Sequence, residues 1–591
     1  MSATAASATT PSHFNLNATP QGQLSPEYRR ESIRRLAEEE FDILVVGGGV
    51  TGTGTALDAA SRGLRVGLVE ARDFASGTSS RSSKMFHGGL RYLEQFDFGL
   101  VFEALHERTL MIERLCPHLV NKIPFLYPLT HRVWERAYVG AGIGLYDVMA
   151  GLKTGMPRHR HLSRKKTLQK APSLRADSLV GAIQYYDAQV DDARHTLALA
   201  RTAAKFGAAV ASSARVVDFA QEGERVVGAR VRDLEGGTEF TVNAGQVINA
   251  TGVWTDDLQQ FVGRGQIKVQ ASKGVHIVVP SDRIHSDSGF ITQTATSVLF
   301  IIPWMAPPYT RHWIIGTTDT PWELDKAHPA ASAADIDYIL DEANKWLNVP
   351  LTKADVEGVY AGLRPLLKGE SEATSQLSRE HAVVQGVSGL ITVAGGKYTT
   401  YRVMAKDAVD AAVRSINRKV PETPTADLPL VGAEGYQVLW NQREQLAQHS
   451  GLHLTRIEHL LRRYGVETRK LLAEIDERPE LATPIDGADE YLLVEAWYAA
   501  AWEGALHMDD ILTRRTRISI ETFDRGVAAA NQIAPIVGEV LGWSEEDRAR
   551  EIDHYTKRVE AERESQTQAD DLTADAARLG APDVRIGFAG S

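Results

Sequence analysis

The chain reads as an α/β protein that ends in a helical region. Three observations carry this. A β-rich run, Phe41 to Val46 (FDILVV), ends in the glycine pattern Gly47-Gly48-Gly49-Val50-Thr51-Gly52 and opens a helix. A second strand, Leu64 to Val69, ends in an acid, Glu70. Beyond the proline-rich stretch Pro421 to Pro429, the apolar spacing turns helical, with Ile457, Leu460, Leu461 and Tyr464 on one face.

The first unit is a dinucleotide-binding βαβ. In G-x-G-x-x-G each glycine has a task. Gly47 permits the tight turn out of the strand, Gly49 lets backbone approach a pyrophosphate, and Gly52 lets the helix pack close to the strand. The helix from Thr51 to Ser61 points its positive end at the phosphates. Glu70 stands 18 residues beyond Gly52, the place of a ribose-binding carboxylate, and an acid there favours an unphosphorylated ribose.

The fingerprint does not separate FAD from NAD, and three distant segments favour FAD. Arg72 to Tyr92 is a long hydroxyl- and glycine-rich loop, costly to order without a ligand; Thr78, Ser79, Ser83, Lys84 and Gly88 are its candidate cofactor contacts. Val247 to Trp254 is an apolar strand ending in Ala250-Thr251-Gly252. Leu390 to Ala394 is a strand followed by Gly395-Gly396-Lys397-Tyr398-Thr399 and a helix with Ala405, Val409, Ala412, Val413 and Ile416 on one face. The N-terminus of that helix is placed to stabilise negative charge on a reduced flavin. Elements at residues 47, 79, 250 and 396 converge only on a long cofactor.

Composition bounds the rest. The chain has 591 residues, 43% hydrophobic and 24% charged, within the range of an ordinary globular protein and too long for one small domain. A net charge of −11 speaks against a nucleic-acid-binding role. The single cysteine, Cys116, cannot form an intramolecular disulfide, which fits a reducing compartment. No signal-peptide pattern opens the sequence, and no run of 18 apolar residues predicts a transmembrane helix. The reading is a polar N-terminal extension over 1–40, an α/β region over 41–420, a linker at 421–429, a helical region over 430–560 and a tail from 561 to 591.

One surface feature stands out. Trp134 to Leu152 is apolar and aromatic, and residues 153–170 then carry seven Lys or Arg and no acid. An apolar segment beside a polybasic one is the pattern of attachment to an anionic membrane surface. The adjacent Asp191 and Asp192 do not share a helix face, so we read them as helix capping and structural pairing rather than as a metal or acid–base pair.

Taken together, VVGGGVTGTGTALDAASRG at 45–63, HGGLRYLE at 87–94, INATGVWTDD at 248–257, SKGVHIVVP at 272–280, IIGTTDTPW at 314–322, GLRPLL at 362–367 and VAGGKYTTYRVMA at 393–405 resemble the FAD-dependent glycerol-3-phosphate dehydrogenases, within the glycine-oxidase-like flavoproteins. The resemblance spans about 40–420. It continues less densely at EGALHMDDILTRRTRI, 503–518. It implies a Rossmann-like FAD-binding domain interleaved with a mixed-sheet substrate domain, then a helical C-terminal domain.

It also implies an activity: oxidation of sn-glycerol 3-phosphate to dihydroxyacetone phosphate by hydride transfer to flavin. Quinone is the implied electron acceptor, with oxygen as the alternative; an amino-acid or sarcosine-type oxidase is the other alternative. On this reading His276 is the general base, because histidine titrates near operating pH. Arg364 assists at the alkoxide, and Arg91, Tyr92, Arg364, Arg379 and Lys397 bind substrate. His87 contacts the flavin, while Lys397 serves flavin or substrate. No metal is implied. The protein is expected in the cytoplasm, peripheral to the inner face of the plasma membrane, and a homodimer is open.

Overall fold

A computed structural model describes residues 21–93, 96–131, 134–151, 155–263, 267–294, 298–305, 309–368 and 381–585. The chain enters through α1 (Pro26–Glu38), capped by Ser25, whose Oγ accepts from the Tyr28 amide at 3.2 Å. It continues through β1 (Glu40–Val46), α2 (Val50–Ser61) and β2 (Val66–Val69).

β1 is the centre of a largely parallel sheet. It pairs in parallel with β2 on one side and with the strand Glu239–Asn249 on the other. Ala209–Ala211 and Leu390–Gly395 extend the sheet in parallel at its two ends. Parallel strands are buried on both faces and so read as unbroken apolar runs; Ile43, Leu44 and Val45 are wholly buried. The helix Tyr401–Val413 buries Ala405, Val409 and Ala412 against the same core, as their spacing predicts.

A second, mixed sheet is built from segments that alternate with the first along the chain. Its strands include Val120–Leu129, Gly181–Val190, Val269–Pro280, Val298–Trp304, His312–Gly316 and Gly358–Leu367. The chain crosses between the sheets repeatedly, so their facing ends form one cleft. The expected interleaving of two α/β units is therefore what the topology shows.

From Tyr436 the chain is mainly helical. Ile457, Leu460, Leu461 and Tyr464 are buried on one face of Leu454–Tyr464. This region is joined to the α/β part by buried ion pairs. Arg194 makes a two-pronged pair with Glu503 (2.6 and 2.7 Å), and Arg515 makes another with Asp73 (both 2.7 Å). The stretch beyond Glu560, read from sequence as a tail, instead holds a helix through Ser565, a second helix Asp571–Arg578 and a buried Arg585. Its polar residues find partners inside the protein: Asp583 pairs with Arg72 at 3.2 Å and Arg585 with Asp510 at 2.8 Å.

His507 makes a contact between the α/β and helical regions. Its Nε2 lies 3.0 Å from Glu235 of the parallel-sheet unit and its Nδ1 3.0 Å from Glu551 of the C-terminal helices. Burial and Arg585 push its pKa down, but the two carboxylates outweigh them and raise it to about 9. A raised folded-state value stabilises the fold fully below pH 6.5, and that contribution is lost as pH climbs through 9. Thermal unfolding should show up to ~3 kcal/mol lost between pH 6.5 and 10, and His507→Gln should flatten that slope.

Candidate active site

Between the two sheets lies a cavity of about 650 Å³, within the range of cofactor sites. One end is made by the turn after β1. Gly47 has φ +111°, and a Cβ there would stand 2.7 Å from the Ala250 carbonyl oxygen. A Cβ on Gly52 would stand 1.9 Å from the Gly47 carbonyl oxygen, so α2 can start close to the strand only with glycine at this place. Glu70 is fixed by two backbone donors, Gly48 N–H to Oε2 at 2.6 Å and Arg72 N–H to Oε1 at 2.7 Å. Burial raises its pKa, against the pull of those two amides.

The loop from Arg72 to Tyr92 forms the long wall. Short 3₁₀ turns at Thr78–Ser80 and Leu90–Leu93 and a strand at Met85–Phe86 give it shape. Thr78 donates to the Leu363 carbonyl (2.5 Å), and Ser79 Oγ accepts from the Val50 amide (2.9 Å) at the start of α2. Ser83 Oγ lies 2.9 Å from His276 Nε2. Asp192, fully buried, holds the loop in place: it accepts from the Ser82 amide (3.0 Å), the Ser82 hydroxyl (2.7 Å) and Lys84 Nζ (2.9 Å). Asp191 caps the helix Asp192–Lys205, as its position predicts, accepting from the Arg194 amide.

Ala250, Gly252, Gly396, Thr399 and His87 complete the cofactor end of the cavity. His87 and Thr399 exchange hydrogen bonds at 3.2 and 3.3 Å, tying the long loop to the turn before the helix Tyr401–Val413. Tyr398 lines the cavity but turns its hydroxyl away, donating to the Asp192 carbonyl at 2.7 Å. Lys397 Nζ sits 3.5 Å from the centroid of the Tyr92 ring, a cation–π contact on the cavity wall.

At the far end, His276 and Arg364 face the same space. The antiparallel register of Val269–Pro280 with Gly358–Leu367 sets Ser272 opposite Arg364 and His276 opposite Tyr360. The His276 ring stacks on Tyr360, with centroids 4.8 Å apart and planes 10° apart. Burial, then Arg364 and Lys84, hold its pKa well below 6.5, so the imidazole is neutral at pH 7. The Arg364 guanidinium lies across Gly274, where a Cβ would meet it at 2.6 Å. It donates to Thr317 Oγ1 and the Thr318 carbonyl (both 3.1 Å) and pairs with Asp319 at 3.3 Å.

The structure departs from the sequence reading at two places. Lys84 is not at the cavity: its ammonium is wholly buried beneath the loop, between Asp192 and the Ser80 carbonyl (2.9 Å). Gly88 also stands behind the wall, its amide donating to the Tyr146 hydroxyl at 2.8 Å. Gly52 does not line the cavity and serves close helix packing, the task the sequence reading gives it. Arg379 and the Arg91 side chain lie outside the described residues. Sequence reasoning missed Asp319, Ser272 and Tyr360. Asp319 sits inside the GTTDT stretch, but only strand register shows that it meets Arg364.

Comparison with known proteins agrees with this geometry. Residues 42–402 match the family of FAD dependent oxidoreductases, and residues 423–548 match the C-terminal domain of alpha-glycerophosphate oxidase. A glycerol-3-phosphate dehydrogenase of Mycobacterium leprae is 56% identical over 96% of both chains. The chain belongs to the FAD-dependent glycerol-3-phosphate dehydrogenase family. The mouse mitochondrial glycerol-3-phosphate dehydrogenase is 38% identical over 93% of this chain and 78% of its own. The crystal structure of the Bacillus halodurans glycerol-3-phosphate dehydrogenase complexed with FAD superposes with a TM-score of 0.74 at 30% identity, covering 91% of this chain and 98% of that one.

FAD is the cofactor, and the residues present fit it: a glycine turn no side chain can occupy, a half-buried carboxylate at the end of β2, and an elongated cavity reaching to Gly396. Asp192 is the residue on which that cavity's long wall rests. Asp192→Ala leaves Lys84 buried without its carboxylate, while Arg517 keeps Asp191, so it should cost about 3–5 kcal/mol in thermal unfolding and lower the FAD content of purified protein.

Proposed function

We propose that this chain oxidises sn-glycerol 3-phosphate to dihydroxyacetone phosphate and passes the electrons to a membrane quinone. The observation that carries the reading is a neutral histidine and a clamped guanidinium on adjacent strands, opening into the cofactor's cavity. Oxidising a secondary alcohol requires a base for the hydroxyl proton and a cation for the oxygen as it becomes negative. His276 Nε2 takes the proton; its hydrogen bond with Ser83 marks where a hydroxyl sits. Arg364, oriented by Asp319 and Ser272, stabilises the alkoxide and binds phosphate oxygens with Arg91, Arg379 and Lys397. Tyr92 carries Lys397 at the cavity wall. Bound FAD supplies the acceptor for the C2 hydride. The names of the 56% and 38% identical relatives support the substrate.

For the cofactor we assign Gly47 and Gly49 to the pyrophosphate and Glu70 to the ribose. Thr78, Ser79, Ser83, His87, Ala250, Gly252, Gly396, Tyr398 and Thr399 are assigned to the chain and flavin.

The membrane reading rests on a surface. Phe98–Leu110 and Trp134–Ala150 pack together and expose Phe98, Phe102, Trp134, Tyr138 and Val148, with Phe96 beside them. The strand Arg160–Ser163 lies against the second helix, with His161 over Gly140. Arg158, Arg160, Arg164, Lys165 and Lys166 of this basic stretch are exposed. Among the described residues no helix is long and apolar enough to cross a membrane. We place the enzyme at the cytoplasmic face, held by apolar insertion and anionic lipid.

Anaerobic addition of glycerol 3-phosphate should bleach the flavin absorbance; an unbleached flavin would sink the proposal. His276→Ala should lower kcat about 100-fold or more. Because the neutral form is the base and its pKa is depressed, wild-type activity should persist below pH 6.5 before falling. Peroxide yield with and without a quinone analogue separates the quinone reading from an oxidase. In vesicle flotation, Phe102→Glu combined with Lys165→Glu and Lys166→Glu should release the protein from anionic vesicles; unchanged flotation removes this surface from the account.

A further inference from the structure

A second, smaller cavity of about 40 Å³ lies where the cofactor loop meets the C-terminal helices. Its wall carries Arg72, Arg81, Arg514, Arg558, Arg578 and Arg585, and among the described residues not every guanidinium has its own carboxylate. Arg578, at the end of the helix Asp571–Arg578, is only 5% exposed, and its guanidinium makes no hydrogen bond or ion pair among the described residues. Arg81 makes no ion pair with a carboxylate among the described residues; its guanidinium donates to the Ala327 carbonyl at 3.0 Å. Arg558 pairs with Asp509 on one side, but its Nε is buried without a partner. Nδ1 of His328 is likewise buried and unpartnered on the same wall.

The acids nearby are already engaged. Asp583 serves Arg72, Asp509 serves Arg514 at 2.9 Å, and Glu551 faces His507. Glu562 answers Arg578, Arg558, Arg525 and Arg81 together, and Asp325 and Asp583 also act on Arg578. Burial first, then mutual repulsion, lowers Arg81 to about 9 and Arg558 to about 10. Buried cations without counter-charge are costly, and a bound anion relieves that cost.

We propose that this junction is a binding site for a phosphate-type oxyanion, held by Arg81, Arg558 and Arg578 with His328. Several guanidinium forks around one small space match the tetrahedral oxygens of a phosphate group. The space holds a few waters' worth of volume, enough for one phosphate and too little for a nucleotide. Arg81 also lines the main cavity, whereas Arg558 and Arg578 belong to the C-terminal helices. An anion there bridges the two, so its binding is coupled to cofactor retention.

The test uses the FAD-loaded enzyme at constant ionic strength, titrated calorimetrically with inorganic phosphate and separately with methyl phosphate against a chloride control. Saturable phosphate binding that the substrate-site variant Arg364→Gln leaves unchanged is expected, with slower FAD release. Binding of both probes identifies a phosphoryl group on any small carrier; binding of inorganic phosphate alone identifies the free ion. Arg578→Gln should weaken binding about tenfold or more, the loss of a charge-assisted hydrogen bond, without moving KM for glycerol 3-phosphate. Glu562→Gln should tighten it severalfold, a direction that general structural damage does not produce. No saturable binding above chloride overturns the proposal. So does binding that Glu562→Gln leaves unchanged, which decides the matter even if Arg578→Gln does not fold.

Discussion

The site depends on one buried carboxylate. Asp192 collects the Ser82 amide and hydroxyl, the Lys84 ammonium and a guanidinium from Arg517 while excluded from solvent. Each of these ties a different part of the protein to one point. Ser82 and Lys84 fix the middle of the cofactor loop, and Arg517 brings in the C-terminal helices. The helix Asp192–Lys205 itself packs on α2, which begins at the cofactor glycines. A loop of some twenty residues is entropically expensive to hold still. Here one charge cluster restrains it, so Ser79 just before the anchor and Ser83 within it have settled positions from which to meet Val50 and His276.

The same logic joins the C-terminal region to the chemistry it does not itself perform. Arg514 and Arg515 reach Asp73, Arg517 reaches Asp191 and Asp192, and Asp583 reaches Arg72. Every one of these contacts falls on, or just beside, the loop that walls the cavity. Buried ion pairs add little net stability relative to apolar packing, but they specify geometry, because a misplaced partner leaves a bare charge. The helical region is thus a brace with a defined register.

A second coupling runs from the apolar surface inward. The helix Trp134–Ala150 exposes aromatic residues on one side and buries Tyr146 on the other. The Tyr146 hydroxyl accepts from the Gly88 amide and donates to Asp187, which lines the cavity. The surface we assign to the membrane is therefore one side chain removed from the cofactor loop.

Local chemistry determined much of this from sequence alone. Gly47, Gly49 and Gly52 stand at fixed spacing because backbone geometry at the turn requires them. Glu70 follows because β2 must end beside that turn. The helical face of Ile457, Leu460, Leu461 and Tyr464 follows from the period of the helix. The basic stretch after an apolar segment was likewise legible as pattern. What tertiary structure alone decided are the meetings of residues far apart in sequence. Lys84 lies in a loop full of cofactor contacts, yet its charge is answered by Asp192, more than a hundred residues on. Arg364 is oriented by Asp319 and Ser272 through strand register, which no local pattern reveals. The polar chain end looked like a tail because its composition lacks an apolar face. It is held instead by ion pairs to Arg72, Lys273 and Asp510, and charge complementarity over such distances leaves no periodic mark on the sequence.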